Sequence, residues 1–199
     1  MTALDPDVPL EGGFDPEARF ARFPRSFTLK GLFFAERVAQ LGPRWETEVP
    51  GLLSPPRLGR YLPFGDYPQV DYSRLTYAAC TKLHPELSLR EAARRVARAD
   101  LATFARSTLG RVMLSMVGDL GDVLLAFPAM HRRVLHGGSV SAERLGPSRV
   151  RLQYREFYGW LDCYAVGTAE GIVLHQGHRP RITLDLQEPD RGSLDVCWE

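Results

Sequence analysis

The run Leu125–Gly138, LAFPAMHRRVLHGG, holds two histidines in a setting that invites chemistry. His131 follows a short apolar helical run that Pro128 interrupts. There an imidazole either ligates a metal or heme iron, or ends a helix in water. Arg132 and Arg133 come next, and His136-Gly137-Gly138 closes the segment, as at a helix C-terminus where the dipole favours solvated cations. The flanks therefore place His131 as a partly exposed polar residue. His175 and His178 form an H-x-x-H pair, but no cysteine or carboxylate lies close enough to complete a metal site. Arg90, Arg94 and Arg98 recur at helical spacing. Such a stripe either grips phosphate or is a solvated helix face, and Glu91 and Asp100 dilute it toward the second. No G-x-S-x-G, P-loop, dinucleotide-binding glycine run or H-E-x-x-H occurs, so no residue set argues for an enzyme.

The elements that must position these groups change character along the chain. Residues 1–25 carry Asp-Pro twice and a Gly-Gly, and read as an irregular, loosely packed arm ahead of a single domain over residues 26–199. Lys30–Leu41 puts Leu32, Phe33, Val38 and Leu41 on one helical face, ended by Gly42-Pro43. Five prolines over residues 44–69 leave room only for short helices. Val70–Leu83 is helical by its spacing, with Leu75, Ala78, Ala79 and Leu83 on one face. Ser88 and Glu91 form a capping box heading a long helix that carries Ala93, Ala97, Leu101, Phe104 and Thr108. Gly110 breaks or bends it before VMLSMV. Leu120–Phe127 reads as a short helix broken at Pro128. Arg149–Tyr154, Arg181–Leu186 and Ser193–Trp198 alternate as strands, the last two joined as a hairpin. Tyr158–Gln176 has helical apolar spacing in spite of three glycines. The pattern predicts an α+β domain, its N-terminal helical half packed on a small C-terminal antiparallel sheet.

Composition narrows the partners. Against 25 lysines and arginines stand 24 acidic residues, so the basic surplus that a nucleic-acid or anionic-membrane footprint needs is missing. Cys80, Cys163 and Cys197 are scattered and odd in number, which argues against disulfides and for a reducing compartment. The acidic N-terminus has no apolar core of a signal peptide, and no apolar run is long enough to span a bilayer. The expectation is a cytoplasmic protein.

Lys30-Gly31-Leu32-Phe33-Phe34, then Ser107-Thr108-Leu109-Gly110-Arg111, then a glycine-rich helix and a hairpin ending in Val196-Cys197-Trp198, resemble a paralogous family of unknown function expanded in myxobacteria. The resemblance covers roughly residues 27–199. That family is similar in fold to heme nitric-oxide/oxygen-binding domains, 4-vinyl-reductase-type ligand-sensing domains and subunits of TRAPP tethering complexes. The resemblance implies a small hydrophobic ligand or cofactor held between helices and sheet, or a surface used for dimerisation.

Heme-binding relatives place a proximal histidine shortly before the first strand of the C-terminal sheet, where His131 stands here, and grip the heme propionates with Y-x-S-x-R. In this chain the stretch is Tyr154-Arg155-Glu156-Phe157-Tyr158: the tyrosine matches, Glu156 replaces the serine and Tyr158 the arginine. A carboxylate there repels propionates. The expectation is thus a non-enzymatic sensory or regulatory module, a homodimer, binding a small apolar ligand or a partner protein. Its pocket is expected among Phe104, Met113, Phe127, Met130, His131, Tyr154, Trp160 and Tyr164. A ligand-free interaction scaffold is the alternative, and a heme protein using His131 the less favoured one.

Overall fold

In the computed structural model, residues 1–49, 51–56, 60–106, 110–111 and 118–199 are described. In chain order the elements are β1 (Thr2–Leu4), α1 (Pro16–Phe20), β2 (Thr28–Lys30), α2 (Gly31–Leu41), α3 (Trp45–Glu48), β3 (Asp66–Pro68), α4 (Gln69–Leu83) and α5 (Leu89–Arg106). There follow α6 (Leu120–Val134), β4 (Leu135–His136), β5 (Ser139–Gly146), β6 (Arg149–Arg155), α7 (Tyr164–His175), β7 (Pro180–Glu188) and β8 (Arg191–Trp198). The helical N-terminal half and the antiparallel sheet of the C-terminal half agree with the α+β class expected.

The main sheet runs β1-β7-β8-β6-β5, every neighbouring pair antiparallel. Alternation decides its two faces. Val150, Leu152 and Tyr154 of β6 are buried, and Val150 and Leu152 stand opposite Val196 and Leu194 of β8, which in turn face Ile182 and Leu184 of β7. These side chains meet Val123 and Leu124 of α6 and Val166, Ala169 and Val173 of α7 in one core. On the other face Asp195 accepts hydrogen bonds from Arg149 (2.5 Å) and Arg151 (2.6 Å). A smaller sheet, β3-β2-β4, ties the start of α2 to the end of α6.

Several expectations need correction. Pro128 does not break its helix. It lies inside a continuous α6 whose N-terminus is fixed by a capping box between Asp119 and Asp122. The ring removes one backbone donor, a loss that a helix packed on a sheet tolerates. Residues 1–25 are tied down, because β1 extends the main sheet and Leu10, Phe20 and Phe23 are buried. The arginine stripe is neither a solvated face nor a phosphate site. Arg94 is fully buried against Glu170 of α7, and its Nη1 and Nη2 donate to the carbonyls of Val8 (2.9 Å) and Asp5 (2.8 Å). Arg98 donates to Glu170 (2.7 Å) and to the Pro6 carbonyl (3.2 Å), and Arg90 to the carbonyls of Glu11 (3.2 Å) and Asp162 (3.3 Å). The stripe is a clasp that holds the N-terminal segment and α7 to α5.

The Ser88/Glu91 box is half formed. Ser88 Oγ accepts from the Glu91 amide (3.1 Å), but the Glu91 carboxylate takes the Leu10 amide (3.0 Å). Its pKa is lowered, because this bond and its arginine neighbours outweigh the burial that acts to raise it. The glycines of α7 are packing devices. A Cβ at Gly167 would collide with the Arg94 carbonyl, and one at Gly171 would press on Leu101 at 3.1 Å. Their absence lets α7 lie directly on α5. Strand β5 was not foreseen: Val140 is its one fully buried residue, so its sequence carries little alternation. The VMLSMV run and Met113 lie outside the described residues.

Candidate functional site

Where α4, α5 and α7 approach α6 and β6, the two halves border a half-open cavity of about 190 Å³. Leu101 and Phe104 line it from α5, Phe127, Met130 and His131 from α6, and Tyr154 from the end of β6. Phe157, Trp160 and Tyr164 follow along the segment leading into α7, and Leu29, Phe33, Gln69 and Tyr72 complete the opposite wall. Thus Phe104, Phe127, Met130, His131, Tyr154, Trp160 and Tyr164, expected from sequence to share a pocket, border one space.

His131 stands differently from its sequence reading. Because α6 continues past Pro128, the imidazole is carried inward on the helix face rather than released at its end, and it is 9% exposed. Its ring lies between Phe127 and Phe157, with centroids at 5.9 and 6.0 Å. Burial, reinforced by the neighbouring Arg132, pushes its pKa down to about 4, so the ring is neutral near pH 7. Its Nε2 has no hydrogen-bond partner among the described residues. Two other residues of the same wall share that condition: Gln69 through Oε1, and Trp160 through Nε1.

Trp160 is also one of two non-glycine residues with positive φ among those described, at 58°. Its carbonyl accepts from the amides of Cys163 (3.2 Å) and Tyr164 (2.8 Å) as α7 begins. The indole packs on Phe14, 5.0 Å between centroids, and on Phe20. A left-handed backbone on a bulky residue costs on the order of 1–3 kcal/mol and persists where the surroundings over-determine it. Here the turn brings a large ring onto Phe14 and Phe20 of the N-terminal segment, at the border of the cavity.

One end of the cavity is polar, its groups hydrogen-bonded to one another. Arg37 of α2 is buried against Asp100 of α5, with Gln40 Oε1 accepting from its Nη1 at 2.7 Å. Tyr164 donates to Asp100 at 2.5 Å, and its hydroxyl lies 3.0 Å from that of Tyr72. Burial alone acts to lower the Arg37 pKa, yet the charge of Asp100 holds it well above the ordinary value. Burial and Asp100 together push the Tyr164 phenol up. Four helices therefore meet in one ion-paired knot, and its carboxylate is already neutralised. Arg37 is buried on α2 beside the apolar residues expected there, of which Leu41 is buried and Phe33 and Val38 pack on the same core. This network escaped sequence reading because its members are 28 or more residues apart except for Arg37 and Gln40.

The remaining candidates assemble no metal site. His178 meets the Glu199 carbonyl at 3.3 Å, His175 is exposed at the rim of the cavity, and among the described residues no group of three metal-ligating side chains comes together. Cys80, Cys163 and Cys197 are free thiols, the first two buried.

This architecture is that of the H-NOX fold. The chain aligns with an S. oneidensis H-NOX protein in its Fe(II)NO state at 14% identity and a TM-score of 0.66, covering 86% of this chain and 99% of that one. A T. tengcongensis H-NOX mutant aligns at 15% and 0.62, covering 86% and 98%. The K. algicida Fe(II) unliganded H-NOX protein aligns at 13% and 0.62, covering 86% and 97%. No curated protein sequence matches significantly. Residues 25–199 match the family described as protein of unknown function (DUF2378), and the chain belongs to that family.

The heme that the resemblance implies does not fit these residues. His131 offers a buried, neutral nitrogen, as an axial ligand must. The cavity, however, exceeds only modestly the roughly 150 Å³ that accommodates benzene in an engineered protein core, and a tetrapyrrole is several times larger. No arginine or lysine is among the described residues lining it, so propionates would find no cation. Glu156 and Tyr158 replace the serine and arginine of the propionate motif, Arg155 is exposed, and Tyr158 instead packs on Phe23 and Phe27.

Proposed function

We propose that this chain is a non-enzymatic sensory module that binds a small, largely apolar molecule between its helical half and its sheet. The observation that carries this reading is the aromatic cavity whose lining residues include three with an unpartnered buried polar atom. Leaving such groups unpaired costs about 1–3 kcal/mol each, and a ligand that meets them recovers that cost. The acid–base groups favour binding over turnover: Asp100 is held by Arg37 and two phenols, and His131 is neutral with no nucleophile hydrogen-bonded to it among the described residues. Ligand contacts on α5, α6 and α7 at once would bias how the two halves pack, which is what a sensor requires.

A protein-partner reading is favoured by a different observation. Phe64, Leu62 and Leu53 are respectively 82%, 57% and 60% exposed, apolar side chains that a second copy or another protein would cover. Native mass spectrometry of the purified protein, with its absorption spectrum, tests both. A bound organic mass without a Soret band supports the sensor, and a dimer with no bound mass, unaltered by small aromatic compounds, favours the scaffold. A heme mass with a Soret band lost in His131→Ala would refute the reading.

A further inference from the structure

We propose that the face formed by α5 and the edge of β7 is a docking site for an extended, leucine-anchored segment of another protein, which this chain's own residues 2–11 occupy in its place. The inference does not depend on the cavity. This N-terminal arm is held chiefly through its backbone. Thr2, Ala3 and Leu4 pair with Leu184, Thr183 and Ile182 along β7. Beyond them Arg94 donates to the carbonyls of Asp5 (2.8 Å) and Val8 (2.9 Å), and Arg98 to that of Pro6 (3.2 Å). The Leu10 amide donates to Glu91 (3.0 Å), and the Leu10 carbonyl accepts from Ser88. A strand added at a sheet edge and read through its main chain is a recurring mode of peptide recognition.

Side chains supply the pattern. Leu10 is buried, Leu4 packs against two core clusters and Pro6 is half-buried, whereas Asp5, Val8 and Pro9 face water. Asp7, also exposed, forms an ion pair with Arg179. The site therefore fits L-x-P-D-x-x-L in an extended conformation, and the positions between these anchors are free to vary.

The occupant is separable from the site. Residues 1–24 lie outside the family match, and the residues of α5 and β7 that grip the arm lie inside it. Between the arm and α1 stand Gly12 and Gly13. Gly12 takes φ +83°, and a Cβ on either glycine would meet nothing within 4 Å. Past this hinge α1 is pinned on its own, by Arg19 donating to both carboxylate oxygens of Asp162 (2.8 and 3.1 Å). An emptied site would leave the buried Arg94 and Glu91 short of partners, so the arm yields to a segment that offers the same main chain.

Fluorescence anisotropy with a labelled peptide of residues 1–11 tests this on the full chain and on Gly12→Pro. Proline fixes φ near −65° and forbids the turn, while every residue that grips the arm stays in place. A tethered arm competes at an effective concentration on the order of millimolar. The peptide should therefore bind Gly12→Pro at least about tenfold more tightly than the parent, and Leu10→Ala in the protein, which weakens the arm at its main anchor, should shift affinity the same way. Replacing both leucines of the peptide by alanine should weaken its binding about tenfold or more. Thermal unfolding confirms that each variant folds, and hydrogen exchange at the Leu10 amide of Gly12→Pro reports release of the arm. Equal affinity for parent and variants, no binding to either variant, or indifference to the leucines would overturn the proposal. So would a Leu10 amide as protected in Gly12→Pro as in the parent, which would make the arm a fixed part of the domain.

Discussion

Lowering the pH from 7.5 to 5 charges a buried histidine, and the cost can be worked from the site. His131 has a folded-state pKa of about 4 against an ordinary value of 6.5, because burial removes water from the imidazolium and Arg132 opposes it. A base with a depressed folded pKa binds its proton more readily in the unfolded chain. Its neutral-state contribution is therefore full above pH 6.5 and is lost as the pH falls toward 4. Integrating between the two values gives a loss of about 2 kcal/mol by pH 5 and about 3 kcal/mol at the limit. For a chain of this size 2 kcal/mol corresponds to a fall in Tm of about 4–8 °C. The carboxylates of Glu91, Asp162 and Asp195 have lowered pKa values. Their contributions are lost as the pH falls through the ordinary carboxylate range, mostly beneath this window, and the loss is common to parent and variant. The assay is urea unfolding at half-unit pH steps for the parent and His131→Phe, the variant having no group to titrate at this position. The parent should lose about 2 kcal/mol more than the variant between pH 7.5 and 5. Parallel curves would show that the imidazole is hydrated in the folded state, and the burial argument would fail.

Other perturbations follow from the same packing. Glu170→Ala leaves Arg94 buried and Arg98 half-buried without their shared carboxylate, and should destabilise by about 3–5 kcal/mol, read as a loss of urea midpoint. Gly167→Ala places a methyl group against the Arg94 carbonyl, so α5 and α7 must separate and Tm should fall by several degrees, whereas Gly146→Ala, whose Cβ meets nothing within 4 Å, should leave it within about a degree. Gly110→Val drives a branched side chain into the Phe104 carbonyl and should lower thermal stability markedly, while equal melting temperatures would show that the glycine is merely tolerated there. Tyr164→Phe removes a hydroxyl that donates to Asp100 at 2.5 Å and should cost about 1.5–3 kcal/mol by denaturant unfolding, as expected for a hydrogen bond to a charged group.

What was legible in the sequence was what local periodicity encodes. Alternation in Arg149–Tyr154, Arg181–Leu186 and Ser193–Trp198 marked three of the main strands, and the apolar spacing of α2, α4 and α5 marked the helical half. Aromatic and methionine residues of α5 and α6 border the cavity, as large apolar side chains on facing elements do. Long-range pairing was not legible. Whether Arg94 faces water or Glu170 depends on α7 lying across α5, and nothing within one helical turn records that. His131 differs from its sequence expectation for a related reason: by local rules a proline ends a helix, whereas packing on the sheet carries α6 through Pro128 and turns the imidazole inward. Strand β5 was missed because an edge strand with one fully buried residue lacks the alternation that betrays a half-buried one.

The central claim, that a small guest sits between helices and sheet, is met most directly by the indole N–H signals of the uniformly ¹⁵N-labelled protein during titration with small aromatic compounds. Three tryptophans, Trp45, Trp160 and Trp198, give three resolvable signals. The Trp160 signal should move and saturate as a guest fills the cavity that it lines, with Trp45, which does not line it, unmoved. A titration in which Trp160 stays fixed while a compound binds would place the guest elsewhere and contradict the account.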